Sequence, residues 1–390
     1  MDKTKKHILK RAGTCVAVVL MLYLFNRLTN QAFFSQRNLT MLLKQASVLM
    51  ILTSSLMLLL IETNIDLSGG AGVYLSGVTC ALLVVKCGWP IFPAIVVTIM
   101  VGIMMGAVNG FFIGRIGLPA FIVTLAAQQI FRGTGYVLTD CATIGPMPKQ
   151  FTAISENFIP PAISVAAVIL IFAAFTFINL RNYRRMGKWY GTKGHLVENL
   201  LLGAMVAAVA IWVFYGYKGI PMAAVIAGLI AFMSYIITTK TTFGRKIFLI
   251  GGNKEASRLA GINIENIVFK SYLYEGLMYG IGGIVLTARL GGAASTGGNL
   301  LELDAVAAAC IGGVSMSGGA GSIMGCISGV LILTAIDNVM SLMNISSYLQ
   351  MVIKGIILLF AVCLDLYTNK AKFKFVVNYI CLFDYLFISS

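Results

Sequence analysis

The sequence predicts an all-α, polytopic membrane protein of about 12 spans, and three observations predict it. Of its 390 residues, 58% are hydrophobic and only 11% charged, with a mean hydropathy of +0.90, far from the balance of a soluble domain. Apolar runs able to cross roughly 30 Å of hydrocarbon, about 20 residues as helix, recur along the chain. The basic residues behind the net charge of +15 collect between these runs instead of on one polar face, so they report orientation in a bilayer and carry no nucleic-acid signature.

The first run, Ala12 to Leu28, follows a basic cluster from Lys3 to Arg11. It lacks a convincing small-residue cleavage site, so it is expected to be a span and not a signal peptide. Met41 to Ile61, Gly69 to Val85, Ile91 to Ile113, Pro119 to Leu138 and Pro161 to Leu180 complete the first half. The second half holds Leu200 to Tyr215, Pro221 to Thr238, Ile267 to Ala288, Asp304 to Met316, Gly321 to Met340 and Tyr348 to Tyr367. Asp304 to Met316 is short for a crossing and abuts Ser317-Gly318-Gly319, which suits a broken or re-entrant helix buried in protein. The expected number of spans therefore lies between 10 and 12.

Of the 29 Lys and Arg residues, 20 fall in five segments: the first eleven residues, Arg115, Arg181 to Lys193, Lys240 to Lys270, and Lys370 to Lys374. Only 5 lie near the opposite span ends: Arg27, Arg37, Lys149, Lys218 and Arg289. By the positive-inside rule both termini are expected in the cytoplasm, which requires an even number of spans. Thr139 to Pro161, with four of the eight prolines, then lies outside. The basic Arg181 to Glu198 loop has anionic lipid headgroups as its simplest partner. The apolar tail, Phe375 to Ser390, is too short to span comfortably and suits the membrane interface.

Several chemistries are missing from the sequence. No GxxxxGK[ST] loop is present to cradle a nucleotide, so any ATP, with its Mg, has to be hydrolysed on another chain. His7 and His195 lie in charged segments without an HExxH or GxSxG motif. The eight cysteines have no CxxC spacing and read as small core residues, so no metal, cofactor or catalytic site is expected. Glu62, Asp66, Glu275, Asp304 and Asp337 fall close to span ends or breaks, where structural polar roles are the default over proton translocation.

Glycine is spaced for close helix contact: Gly102, Gly106 and Gly110; Gly276, Gly280 and Gly283; Gly321, Gly325 and Gly329. Ser68-Gly69-Gly70-Ala71-Gly72 recurs as Ser317-Gly318-Gly319-Ala320-Gly321, each time next to an acidic element; breaks and turns between helices are the default reading, with an internal duplication and discontinuous helices lining a polar pathway as the alternatives. Asn64, Asp66, Asn109, Gln128 and Asp304 are the candidates to offer hydrogen bonds to a solute, and each can equally join helices.

Between Lys240 and Lys270 the chain turns polar, and Gly252, Asn253, Glu255, Ala256, Ser257, Leu259 and Gly261 lie on a short helix expected over 253–261. Asn253 is its N-cap, Glu255 puts negative charge in the first turn, and Gly261 takes the left-handed turn that ends it. Ala256, Leu259 and Ile262 form one apolar side, leaving Lys254 and Arg258 for acidic groups.

These motifs resemble the permease subunits of bacterial ATP-binding cassette sugar importers of the ribose, xylose and multiple-monosaccharide class, over nearly the whole chain to about Lys370. Asn64-Ile65-Asp66-Leu67-Ser68 resembles the family's IDLS element. Gly106 to Gly110, Leu118 to Leu125 and Arg132-Gly133 resemble its NG, PxFIxTL and RG elements. Thr242 to Arg245, Ile250 to Asn263, Ala288-Arg289, Glu302 to Ala305, Ile311 to Gly313 and Gly318 to Ser322 then follow in family order. Glu255-Ala256-Ser257 with Gly261 is similar to the EAA loop that docks into the ATPase, with Ser257 replacing the second alanine. The extra basic loop and helices between Phe158 and Thr238 match xylose and multiple-monosaccharide members more than ribose members.

The resemblance implies a single permease domain over residues 1–374, with cytoplasmic loops at 181–198 and 239–267. It implies a cytoplasmic ATPase partner, an extracytoplasmic sugar-binding protein and a second permease copy in a homodimer. The function implied is ATP-driven uptake of xylose or a related monosaccharide into a bacterial cell. A secondary transporter and a permease for amino acids are the alternatives.

Overall fold

Helices continue through nearly every apolar run, because unpaired backbone groups are costly in hydrocarbon and a helix satisfies them within one segment. The structure, a computed structural model, describes residues 20–186 and 193–363. The apolar tail 375–390, the first residues and part of the 181–198 loop lie outside them. A helix over 20–28 (α1) is followed by α2 (Gln36–Ile61), α3 (Gly69–Ala81), α4 (Ile91–Gly110), α5 (Ala120–Thr139), α6 (Lys149–Glu156), α7 (Pro161–Met186) and α8 (Lys193–Gly216). Then come α9 (Met222–Lys240), α10 (Thr242–Gly252), α11 (Lys254–Leu259), α12 (Ile264–Leu290), α13 (Leu301–Ile311), α14 (Ile323–Leu342) and α15 (Ser347–Cys363). Two π-helical stretches, Leu82–Lys86 and Phe111–Ile116, carry α3 and α4 onward.

Among the described residues, 7 helices are long and apolar enough to cross a membrane: α2, α3 and α4 with their π-helical ends, α7, α8, α9 and α14. α5 and α12, of 20 and 27 residues, carry more polar groups, and α15 is shorter. The run expected to extend from Asp304 to Met316 is helical only to Ile311. At 11 residues, α13 is about 16 Å long, roughly half the hydrocarbon thickness. It stops where Gly312 meets the Gly325 backbone too closely for any side chain and Gly313 turns to φ +83°.

The chain forms two compact units. The first takes residues up to 44, 157–224 and 335–346. Among the described residues its only ladder is the pairing of Phe158–Ile159 (β1) with Ile220–Pro221 (β2), antiparallel, which brings the start of α7 to the start of α9. Gln36 Nε2 donates to the Trp212 carbonyl at 3.0 Å, and the Asn38 and Asn338 amides exchange hydrogen bonds of 2.8 and 2.9 Å. The outward faces of α7 and α8 carry Leu170, Ile171, Leu201 and Val206, which is a lipid-facing composition.

The second unit takes 45–156, 225–334 and the residues from 347 on. Its centre is the crossing of α4 over α12: a Cβ on Gly102 would come within 2.6 Å of the Gly276 carbonyl and the Gly280 amide, and Gly106 sits as tightly on Gly276. Gly283 packs in the same way on α3 at Val73 and Gly77. The first two glycine triplets predicted for close packing thus meet at Gly102, Gly106, Gly276 and Gly280, while Gly325 and Gly329 of the third pack on Gly312 and Ala308, and dispersion between touching backbones replaces the hydrophobic drive that lipid removes.

This unit has two distinct ends. At one end Gly114 approaches the Glu265 carbonyl, the Arg115 guanidinium lies 5.5 Å from the Phe269 ring centre, and α10 and α11 lead into α12. At the other, Ile144 pairs with Ala293 and packs with Met147 and Phe151 against Val84 and Ala94. Of the described cysteines, Cys80, Cys310 and Cys326 are buried as expected, whereas Cys87, Cys141 and Cys363 are exposed at helix ends.

Candidate docking site and buried polar network

Three caps in sequence build the projecting helix. Thr241 Oγ1 accepts from the Gly244 amide at 3.1 Å and starts α10. Asn253, extended at φ −159° and ψ 107°, ends α10 and starts α11, its side-chain oxygen accepting from the Ala256 amide at 2.9 Å. Gly251 and Gly252 therefore belong to α10, not to the short helix. Gly261, at φ +80°, reverses the chain, with the Gly261 and Ile262 amides donating to Arg258 and Ser257 carbonyls. Asn263 then caps α12 as Asn253 caps α11, accepting from Asn266 at 2.9 Å.

Ser257 is the inward side chain of α11, its hydroxyl donating to the Asn253 carbonyl at 2.8 Å. Glu255 and Arg258 form an exposed ion pair at 3.5 Å. Ala256 is exposed and Leu259 is 89% exposed. An isoleucine-sized side chain held out in water on a doubly capped helix is an unfilled contact, of the kind that protein interfaces cover.

Just before α11, Gly251 meets the interior of the unit. A Cβ there would collide with the Ile61 carbonyl at the end of α2 and stand 2.5 Å from the Gly319 amide, which itself donates to Ile61 at 3.0 Å. The second Ser-Gly-Gly break thus rests on α10, the helix next to α11.

The first break is placed differently. Asp66 Oδ1 accepts from the Ser68 amide and hydroxyl, both at 2.7 Å, and Tyr279 Oη donates to Asp66 Oδ2. Asn109 Nδ2 donates to Ser68 Oγ at 2.9 Å. Asp66, Ser68, Asn109 and Tyr279 are all buried, so α3, α4 and α12 are tied at one point. Nearby, Ser271 Oγ donates to Glu62 at 2.7 Å. Glu275, expected near a span end, instead lies mid-way along α12 and fully buried, because the small residues Gly276 and Gly280 let α4 close over it.

Asn64, half-buried, follows the turn after α2, its amide donating to Leu59 at 2.9 Å. Gln128 Nε2 donates to Glu302 Oε1 at 2.8 Å. One turn on, the Arg132 guanidinium donates to the Gly297 and Gly298 carbonyls at 2.7 and 3.0 Å and lies 4.8 Å from the Tyr74 ring centre. Asp304 pairs with Lys354 of α15 at 2.8 Å. The structure therefore gathers Asp66 and Asn109 in one network and leaves Gln128 and Asp304 in two others. Tyr279 and Lys354 are marked in the sequence only by a polar atom in an apolar run, and Glu302 only as part of the Glu302 to Ala305 element.

Buried polar groups at interrupted helices, together with an exposed capped helix at one end, define a multi-pass membrane transport protein. A family model described as branched-chain amino acid transport system / permease component matches residues 38–362. The xylose transport system permease protein of Escherichia coli (strain K12) is 34% identical over 357 residues, 91% of each chain. The corresponding xylose permease of Haemophilus influenzae is 34% identical over 92% of this chain and 96% of its own. The ribose import permease protein of Bacillus subtilis (strain 168) is 29% identical over 92% and 93%. No solved structure matches the chain. The chain belongs to this family of transport permeases, a multi-pass protein of the bacterial inner membrane.

Proposed function

We propose that this chain forms the transmembrane pathway of an importer that moves a monosaccharide, xylose or a related pentose or hexose, into the cytoplasm. The drive is ATP hydrolysis on a separate cytoplasmic ATPase. The observation that carries the ATP-driven reading is α11, a capped helix with Leu259 in water, set beside a permease sequence that has no nucleotide loop of its own. The xylose and ribose relatives support the sugar.

The topology we propose has 12 crossings or insertions, counting α13 as a half-span, with both termini inside. Its support is the gathering of Arg115, α10 and α11 at one end of the second unit, with the 139–156 segment at the other. The complex holds two copies of this chain, two ATPase domains and an outer sugar-binding protein. Closing of the ATPase dimer pushes α11, and Gly251 passes the motion to Ile61 and to the 317–319 break. ATP has to favour the closed state for the push to change anything.

The reading is tested by uptake of radiolabelled D-xylose into proteoliposomes holding the permease, its ATPase and the binding protein. Uptake is expected with ATP inside and the binding protein outside, and absent without either. Uptake driven by a proton or sodium gradient without the ATPase sinks it. The family description names branched-chain amino acids, so ATP-driven uptake of L-leucine in place of sugar identifies the amino-acid alternative.

A further inference from the structure

The second unit holds a cavity of about 260 Å³ between α13 and α15. Loop residues 291–300 lead from the Ile144–Ala293 pairing to α13, whose first turn lies against Gly70 at the start of α3, and Asn299, Leu300 and Ser347 at the starts of α13 and α15 line the cavity. Its walls carry the Asp304–Lys354 ion pair, both members partly exposed at 17% and 25%, with Gln350 beside them. Leu303, Leu333 and Met351 supply an apolar side.

We infer that this cavity is a binding subsite for one monosaccharide in ring form. The inference rests on the importer reading for its place in transport, and on the cavity itself for its ligand. Pockets for drug-sized ligands start at roughly 300 Å³, so this one suits a smaller molecule, such as a sugar of about ten heavy atoms. The lining has the two faces a pyranose needs: C–H faces meet Leu303 and Met351, and hydroxyls meet charged and amide groups.

The ion pair selects the charge of the ligand. Asp304 and Lys354 are closed on each other at 2.8 Å, and the carboxylate offers about four lone-pair sites, of which that bond takes one. A neutral polyol bonds to the remaining sites with the pair intact. A zwitterionic amino acid can reach the same sites, but it brings two full charges out of water into a partly buried cavity that carries no net charge, and that desolvation disfavours it.

The test is saturation-transfer NMR on the full-length permease in nanodiscs, with D-xylose, D-galactose or L-leucine at millimolar concentration. Transfer to the sugars and none to L-leucine is expected. Ala307→Phe, which fills the cavity, abolishes transfer, while Ala126→Phe on the exposed face of α5 preserves it. Asp304→Asn, close to isosteric, raises the half-saturating sugar concentration roughly tenfold, as expected for one charge-assisted hydrogen bond, and carries the test if Ala307→Phe fails to fold. Absence of transfer to the wild type, stronger transfer to L-leucine, or sugar transfer undiminished in the cavity variants overturns the subsite. ATP-driven uptake is scored separately. Uptake that survives with no transfer removes the subsite alone, and transfer without ATP-driven uptake removes the importer reading alone.

Discussion

Asn253 and Leu259 show what a single residue contributes to α11, the helix proposed to dock. Asn253 is the only side chain satisfying the Ala256 amide at the start of α11, so Asn253→Ala costs about 1 kcal/mol locally. Hydrogen exchange at Ala256 and Ser257 is expected to quicken by roughly fivefold, with no change in α12. Leu259→Asp leaves the fold alone, because the side chain touches little, but weakens docking by roughly 2 kcal/mol if Leu259 is the central contact. Sugar uptake then falls while the detergent-solubilised protein melts as before; an unchanged uptake sinks the docking assignment. Gly261→Val is expected to uncouple for a different reason, since a β-branched residue at φ +80° is strained and tilts the helix end. These caps were legible from sequence because each acts within three or four residues. The Asp66 network was not, since Asp66 and Tyr279 are 213 positions apart. Asn109→Leu removes one buried partner there and is expected to cost about 0.5–2 kcal/mol, read as a lower melting temperature in detergent.

At the scale of elements, glycine spacing announced that helices touch but not which ones. Gly102 and Gly106 are spaced alike to Gly276 and Gly280, and nothing in one sequence says that α4 lies on α12 in place of a second α4. The same spacing at 321–329 serves α14 against Gly312 and Ala308. Gly106→Leu is expected to separate α4 from α12 and with them Asn109 from Ser68, so the protein should aggregate on extraction; Gly133→Ala, where a Cβ meets nothing, should be neutral. The two Ser-Gly-Gly elements looked like one device used twice. The first anchors Asp66 in the core, while the second supports Gly251 beside the docking helix, a difference set by distant partners. Gly251→Ala forces apart Ile61 and Gly319, and ATP hydrolysis that continues while uptake fails is the expected outcome.

For the whole molecule, fold class was legible because hydropathy is a property of runs, and a run of apolar residues has only the helix available in lipid. Orientation is legible only as charge bias, and the structure turns that bias into a geometric prediction. Within the second unit, Cys87 follows the π-helical end of α3 and Cys141 follows α5, both exposed and both near the segment that packs Ile144 against Ala293. α15 starts at Ser347, which lines the cavity, and runs 17 residues to Cys363, about 25 Å away along its axis. If the end bearing α11 faces the cytoplasm, Cys87 and Cys141 face outward and Cys363 inward. A membrane-impermeant maleimide added to spheroplasts is expected to label Cys87 and Cys141, and the C87S/C141S double variant is expected to stay unlabelled until the membrane is permeabilised. Labelling of the double variant from outside inverts the topology. It would then put α11 beyond the reach of any cytoplasmic ATPase.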